Sequence, residues 1–167
     1  MPRTKARRVP VPALTGTSTG TGAAVERADY EVAITLPTPG ADAHQAEAWA
    51  RAAFGAVPAV ARLVLLVGWR YVLWLRLGPT RSADHVLGWT IAERRPDRFA
   101  MSAPSPLIAA MNVILVDAAG VTWVTAVRYR RLLGRLLWRA AAPLHQLTIP
   151  YLLRRAAKAL ESARPAG

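Results

Sequence analysis

The sequence predicts an α+β fold in which a curved antiparallel sheet wraps around a long C-terminal helix, with two further helices after the first strand. Residues 30–36 alternate strictly between two faces, with Tyr, Val, Ile and Leu on one of them, which is typical of a half-buried strand. A second amphipathic strand, Gly120–Arg131, turns at Gly134 directly into a long helix flanked by arginines. This succession indicates a sheet that grips a terminal helix.

The chain has 167 residues, which fits one domain, predicted over residues 25–164. Residues 1–24 combine a basic start with two prolines and a Gly/Thr repeat, so they cannot bury enough apolar area to offset the entropy lost on ordering. We predict a disordered tail there. No apolar segment follows the basic residues as a secretory signal requires, and the chain contains no cysteine, so we expect a cytoplasmic protein.

Two helices are predicted between the first strand and the rest of the sheet. Asp42 followed by Gln45 reads as a capping box, which predicts a helix that ends at Gly55. Pro58 suits the first turn of a second helix, predicted to run to Leu77.

The second helix carries an arginine stripe and a wide apolar face. Arg62, Arg70 and Arg76 fall within an arc of about 120°, and the remaining face contains Leu63, Val67, Trp74 and Leu75. Such a helix either packs on a core with a thin solvated stripe or lies flat in a membrane interface. We favour the core interpretation.

Four more strands complete the predicted sheet: Val86–Glu93, Arg98–Ala103, Leu107–Val116 and Gly120–Arg131. The uncharged run from Phe99 to Val116 approaches the length of a membrane span, but Pro104 and Pro106 would break a helix in its middle. We therefore predict two strands joined by a Pro-Ser-Pro turn. The terminal helix is predicted over Arg135–Ser162, kinked or restarted at Pro143 and Pro150.

The net charge of +12 comes almost entirely from arginine in an alanine-rich chain, a bias that a GC-rich genome produces, so we expect no nucleic-acid partner. Between Asp117 and Glu161 there is no acidic residue, whereas eight residues are basic: Arg128, Arg130, Arg131, Arg135, Arg139, Arg154, Arg155 and Lys158. We interpret this patch as a solvated face, and contact with phosphate-bearing partners or anionic lipid is the alternative.

No metal site or cofactor is predicted, because motifs for nucleotide binding and metalloprotease chemistry are missing and the three histidines lie in three different elements. His145 is the candidate acid or base, since it lies on the terminal helix beside its apolar face. A structural histidine is the simpler interpretation. The candidate ligand-binding residues, for which plain core is the alternative, are Trp89, Met101, Trp123, Tyr129, His145 and Tyr151.

Several short strings occur in a characteristic order: Asp29-Tyr30, Leu36-Pro37, Ala48–Arg51 before Phe54-Gly55 and Pro58, Gly134-Arg135 with Trp138, and Pro143-Leu-His145. Over Asp29–Ala159 the chain resembles an uncharacterised, mainly actinobacterial family of the START and polyketide-cyclase (SRPBCC) superfamily, which has the helix-grip fold. The resemblance implies an apolar cavity between sheet and terminal helix, used across the superfamily for lipids, polyketides or other hydrophobic molecules. The superfamily typically has seven strands and five are predicted here, so either one long strand is bent or an element has been missed.

The first functional hypothesis is binding or transport of a hydrophobic small molecule, such as a lipid or polyketide-like compound, in that cavity. The second is a cyclase-like or dehydratase-like enzyme that uses His145, with Trp123 and Tyr129 positioning the substrate. The third is a membrane-surface adaptor that uses the arginine stripe and the second helix.

Overall fold

An antiparallel sheet of eight strands forms the body of the protein in this computed structural model, which describes residues 5–12 and 27–163. The strands are β1 (Arg7–Val9), β2 (Tyr30–Pro37), β3 (Arg81–Ser82), β4 (His85–Val86), β5 (Trp89–Arg94), β6 (Arg98–Pro104), β7 (Ile108–Asp117) and β8 (Gly120–Tyr129). Their order across the sheet is β1-β2-β8-β7-β6-β5-β4-β3, so the paired strands β2 and β8 bring the two ends of the fold together.

Helices cover one face of the sheet. Helix α1 is Ala46–Gly55, α2 is Ala59–Val67, and α3 is Leu132–Ser162. A turn of π-helix, Gly68–Val72, continues α2. The sheet curves around α3, and α1 packs against it, so the predicted α+β helix-grip architecture is confirmed.

The alternating pattern of β2 and β8 sorts their side chains between two apolar clusters. Ile34 pairs with Trp123, and both belong to the main core between the sheet and the helices. Ala33 pairs with Val124, and both belong to a smaller cluster on the outer face. A strand period of two residues produces this separation, which confirms the prediction for both strands.

Helix α3 begins at Leu132, before the predicted start, and approaches the sheet closely at Gly134. A side-chain carbon at Gly134 would collide with the carbonyl oxygen of Leu107 in the turn between β6 and β7. Glycine is required at this position because there is no room for a side chain, and not because the backbone adopts a conformation that only glycine favours. Pro143 and Pro150 lie inside one continuous helix, so the predicted restart does not occur.

The Pro-Ser-Pro turn between β6 and β7 is confirmed. Ser105 is buried, and its hydroxyl oxygen accepts hydrogen bonds from the backbone N–H groups of Leu107 and Ile108 at 3.0 and 2.9 Å. The uncharged run from Phe99 to Val116, which approaches the length of a membrane helix, therefore forms most of β6 and β7.

The disordered-tail prediction is wrong for Arg7–Val9, which pair with β2 as strand β1. Val9 and Val11 also pack against the outer cluster. A three-residue strand has too little periodicity to be recognised in a sequence, because its stability comes from the partner strand. Within the predicted tail, residues 1–4 and 13–24 lie outside the described residues.

The capping box is also wrong. Asp42 lies in a 3-10 turn, Ala41–Ala43, and α1 begins after Gln45 without a side-chain cap. The short strands β1, β3 and β4 account for the difference between the five strands predicted and the eight observed.

Helix α2 does not pack as the core interpretation predicts. None of its residues is buried, and the π-helical turn ends at Val72, before the predicted Leu77. Leu66 and Trp69 contact the core, whereas Leu63, Val67 and Trp74 are exposed. The helix therefore turns much of its apolar surface away from the protein.

No single helix in residues 5–12 and 27–163 has the length and apolar character needed to cross a membrane. The segments Ala46–Gly55 and Ala59–Val72 meet these criteria only when taken together, and they are bent by 102° relative to each other.

Candidate ligand-binding cavity

A cavity of about 250 Å³ lies between the inner face of the sheet, α3 and the α2 segment, which is α2 together with its π-helical turn, Ala59–Val72. The sheet contributes Trp89, Ala110, Asn112, Trp123 and Thr125. Helix α3 contributes Trp138, Ala141, Leu144, His145, Thr148, Ile149 and Leu152. Among the residues that the structure describes, no charged side chain lines the cavity, so it favours neutral contents.

Edge-to-face aromatic contacts connect the walls. The ring of Phe54 on α1 lies 5.7 Å from that of Trp123 on β8 and 5.7 Å from that of Trp69. Trp69 in turn lies 5.4 Å from Trp89 on β5. Perpendicular contacts at these distances stabilise aromatic pairs, so they hold the α2 segment against the sheet.

A chain of hydrogen bonds crosses the sheet wall. The indole N–H of Trp123 donates to Asn112 Oδ1 at 2.9 Å, and the hydroxyl of Thr125 donates to the same oxygen at 2.7 Å. Indole nitrogen is only a donor, which fixes the amide orientation of Asn112. Asn112 is 4% exposed, and no hydrogen bond from its amide nitrogen occurs among the described residues. That nitrogen is not one of the fully buried side-chain atoms that lack a partner, and Asn112 lines the cavity, so we infer that its N–H groups open into the cavity.

The same chain sets the tautomer of His145. Thr125 Oγ1 lies 3.3 Å from His145 Nε2, and its only proton is used on Asn112. Nε2 must therefore carry a proton and donate it to Thr125 Oγ1. His145 Nδ1 is left as an acceptor, fully buried and without a hydrogen-bond partner among the described residues.

Burial also decides the charge of this imidazole. Desolvation lowers the pKa of His145 from 6.5 to about 4, because the charged form loses its hydration. His145 is therefore neutral at pH 7. Its ring contacts that of Trp138, about two turns earlier on the same face of α3, with ring centroids 5.3 Å apart.

Residues 24–152 match the model of a family described as Protein of unknown function (DUF2867). The match covers most of the chain. The chain belongs to the DUF2867 family. It has no match among curated proteins or among solved structures. Every residue that lines the cavity lies inside the DUF2867 match.

Three of the six predicted site residues line the cavity of this DUF2867 chain: Trp89, Trp123 and His145. Trp123 and His145 belong to opposite walls, on β8 and α3. Met101 is completely buried in the main core and does not reach the cavity.

The other two predicted residues lie outside the cavity. The backbone N–H of Tyr129 donates to Asp29 Oδ2 at 2.6 Å, and partial burial, with the nearby Asp29 charge, raises the pKa of the Tyr129 hydroxyl. Tyr151 is on the outer side of α3, where the guanidinium of Arg155 lies 5.6 Å from its ring centroid. Arg155 also donates to the carbonyl oxygen of Ala56, so it joins α3 to the end of α1.

Asn112 and Thr125 were missed by the sequence-based prediction of the site. Asn112 interrupts an otherwise apolar strand, Ile108–Val116, and a buried polar residue is more informative than another buried apolar one. That signal is readable in the sequence. The hydrogen bonds of Asn112 with Thr125 and Trp123 cannot be read from the sequence, because they depend on how β7 and β8 are aligned.

Exposed apolar side chains mark one side of the cavity. Val64 and Val72 of the α2 segment and Leu144 of α3 each line the cavity and are also exposed to solvent. The mouth of the cavity therefore lies between the α2 segment and α3.

Proposed function

We propose that the cavity binds a neutral, mostly apolar molecule of one or two rings that carries an oxygen acceptor. The observation that carries this proposal is the amide nitrogen of Asn112, which has no hydrogen-bond partner among the described residues and belongs to the wall of a mostly apolar cavity. The indole N–H groups of Trp89 and Trp138, which also line the cavity, are buried and have no partner among those residues either. A few convergent polar groups in an apolar pocket are typical of small-molecule sites.

The volume limits the size of the ligand. An apolar cavity of roughly 150 Å³ accepts benzene. A cavity of about 250 Å³ therefore accommodates one or two rings, and an extended lipid chain would have to leave through the mouth.

The lining limits the charge of the ligand. No Arg, Lys, Asp or Glu from the described part of the chain lines the cavity, and His145 is neutral at pH 7. A charged ligand would therefore lose hydration without gaining a partner there. A carbonyl or ether oxygen suits the Asn112 N–H groups, since it accepts a hydrogen bond without charge.

The cavity lies where the resemblance to the START and polyketide-cyclase superfamily implies one, between the concave sheet and the terminal helix. We extend the proposal to membership of the DUF2867 family in that superfamily. The helix-grip architecture supports it, and the arginine-rich composition supports an actinobacterial, GC-rich source. Ring ketones are within the polyketide-like chemistry that the resemblance implies.

The observations favour binding over acid or base catalysis by His145. Its Nε2 donates to Thr125, its Nδ1 is fully buried, and a pKa of about 4 makes the imidazole a weak base at neutral pH. The imidazole fixes Thr125, which in turn fixes the amide of Asn112.

A thermal-shift screen with neutral one- and two-ring ketones and ethers tests the proposal, because a ligand that binds only the folded state raises the melting temperature. Ala110→Leu fills the cavity, whereas Ala109→Leu adds the same atoms on the opposite face of β7. We expect shifts in the wild type and in Ala109→Leu and none in Ala110→Leu. A panel without any shift, or shifts that survive Ala110→Leu, would contradict the proposal.

A further inference from the structure

We propose that the α2 segment docks this protein on an anionic lipid bilayer, with the cavity mouth turned toward the membrane. The docking surface, called here the α2 patch, consists of Val60, Leu63, Val64, Val67, Tyr71, Val72 and Trp74, all of them exposed. The inference goes beyond ligand binding, because it assigns a partner surface that the cavity itself does not require.

The helical part of the patch is a continuous apolar face. Val60, Leu63, Val64 and Val67 fall within an arc of about 100° when each residue advances by 100°. Leu63 is 61% exposed and Val67 is 45% exposed. The opposite side of the segment meets the core through Leu66 and Trp69. Exposed apolar surface that is contiguous, rather than scattered singly, marks an interaction site.

Trp74 extends the patch beyond the helix in an unusual conformation. Its φ is 51°, a left-handed value that costs a bulky residue free energy. Its neighbours Leu73 and Leu75 are buried, whereas Trp74 is 55% exposed. The backbone is thus held so that a large amphipathic ring points outward, which suits a membrane interface.

The charges around the patch suit an anionic surface. No acidic residue occurs between Glu47 and Asp84 in the sequence, and Arg70 and Arg76 are exposed on either side of Trp74 along the chain. Neither arginine takes part in an ion pair found among the described residues. Arginines beside a membrane-facing apolar surface attract anionic headgroups.

The patch is continuous with the cavity. Val64 and Val72 belong to the patch and also line the cavity, and exposed Leu144 of α3 borders the same mouth. A docked α2 segment would therefore place the mouth at the headgroup level. An apolar ligand could pass between bilayer and cavity without crossing water.

A second copy of the chain is the competing occupant, and the charges disfavour it. A two-fold interface would bury the same patch on both copies, so it would bring together two arginine-bearing surfaces whose segment contains no acidic residue between Glu47 and Asp84. An anionic bilayer supplies the opposite charge instead.

Co-sedimentation with vesicles of phosphatidylcholine containing about 30% phosphatidylserine, compared with pure phosphatidylcholine, tests the proposal at ~0.15 M salt, where screening weakens purely electrostatic attraction. The patch variant combines Leu63→Ser and Val67→Ser. The matched control combines Leu132→Ser and Leu133→Ser at the start of α3, which are 71% and 52% exposed and lie outside the patch.

We expect the wild type and the control to bind the anionic vesicles, and the patch variant to bind at least tenfold more weakly. Equal weakening by the control, or no binding by the wild type, would overturn the proposal. Sedimentation velocity on the same proteins tests whether a second copy covers the patch instead. If the wild type and the control are dimers and the patch variant is a monomer, the patch is the interface between two copies. Ala110→Leu fills the cavity without changing the α2 patch, so it should leave vesicle binding unchanged. The vesicle test can therefore fail or succeed independently of the cavity proposal.

Discussion

The hydroxyl of Thr125 lies 3.3 Å from His145 Nε2 and donates to Asn112 Oδ1 at 2.7 Å. This one oxygen therefore joins β8 to β7 and to α3 at the cavity wall. Loss of this hydroxyl affects both Asn112 and His145, because Asn112 Oδ1 and His145 Nε2 would each lose one hydrogen-bond partner in the interior.

Thr125→Val should lower the free energy of unfolding by about 1–3 kcal/mol, because valine keeps the shape but leaves His145 Nε2 unpaired in the interior. Urea unfolding of the wild type and the variant measures this change in the free energy of unfolding. Thr122→Val is the matched control on the same strand: its hydroxyl bonds Thr35 Oγ1 at 2.7 Å in a part-buried site where water can substitute. Equal losses in both variants would show that the Thr125 network adds nothing specific.

Stability should depend on pH through His145. Its pKa is about 4 in the folded state and 6.5 in the unfolded chain, so below pH 6.5 the unfolded chain binds the proton and is favoured. The free energy of unfolding should therefore fall as the pH is lowered from 6.5 to 4, by about 3 kcal/mol over the window.

Urea unfolding at pH 7 and pH 5, for the wild type and His145→Gln, isolates this contribution. The wild type should lose about 2 kcal/mol more than the variant over this interval. A nuclear magnetic resonance titration that places the His145 pKa near 6.5 would be incompatible with the buried neutral ring.

Gly134→Ala should destabilise the protein although alanine is the better helix former. Its side chain would collide with the Leu107 carbonyl, and relieving such a clash costs about 1–3 kcal/mol, more than the gain of about 1 kcal/mol in helix propensity. Gly55→Ala is the control, because no neighbouring atom of the described residues lies within 4 Å of its added carbon. Thermal melts should move in opposite directions, and a stabilised Gly134→Ala would mean that α3 can shift away from the turn.

The sequence predicted the elements that carry their own periodicity. Strand β2 and strand β8 were recognisable because alternation over eight or more residues is a local property. Strand β1 was not, since three residues pair only because the edge of β2 is there to receive them.

The orientation of α2 could not be read in the same way. Its apolar and arginine-bearing sides are visible in the sequence, but which of them faces the core depends on what the neighbouring elements leave uncovered. Here Trp69 reaches the core from the π-helical turn, and Leu63 remains outside.

The site residues show the same limit. Met101 was predicted to face inward, and it is completely buried in the main core, but it does not line the cavity. Its strand, β6, is contacted by α1. Strand alternation gives the face of a side chain and not its depth under a helix.

The most direct test of the central claim compares two ligands of nearly the same shape, 1-indanone and indane, by isothermal titration calorimetry. If the Asn112 N–H groups receive a ligand oxygen, the ketone should bind about three- to tenfold more tightly than the hydrocarbon, since one net hydrogen bond is worth about 1 kcal/mol. Asn112→Leu, checked for folding by circular dichroism, should reduce that ratio to about one, and Ala109→Leu should leave it intact. Equal binding of both compounds to the wild type, or a ketone preference that persists in Asn112→Leu, would contradict the account.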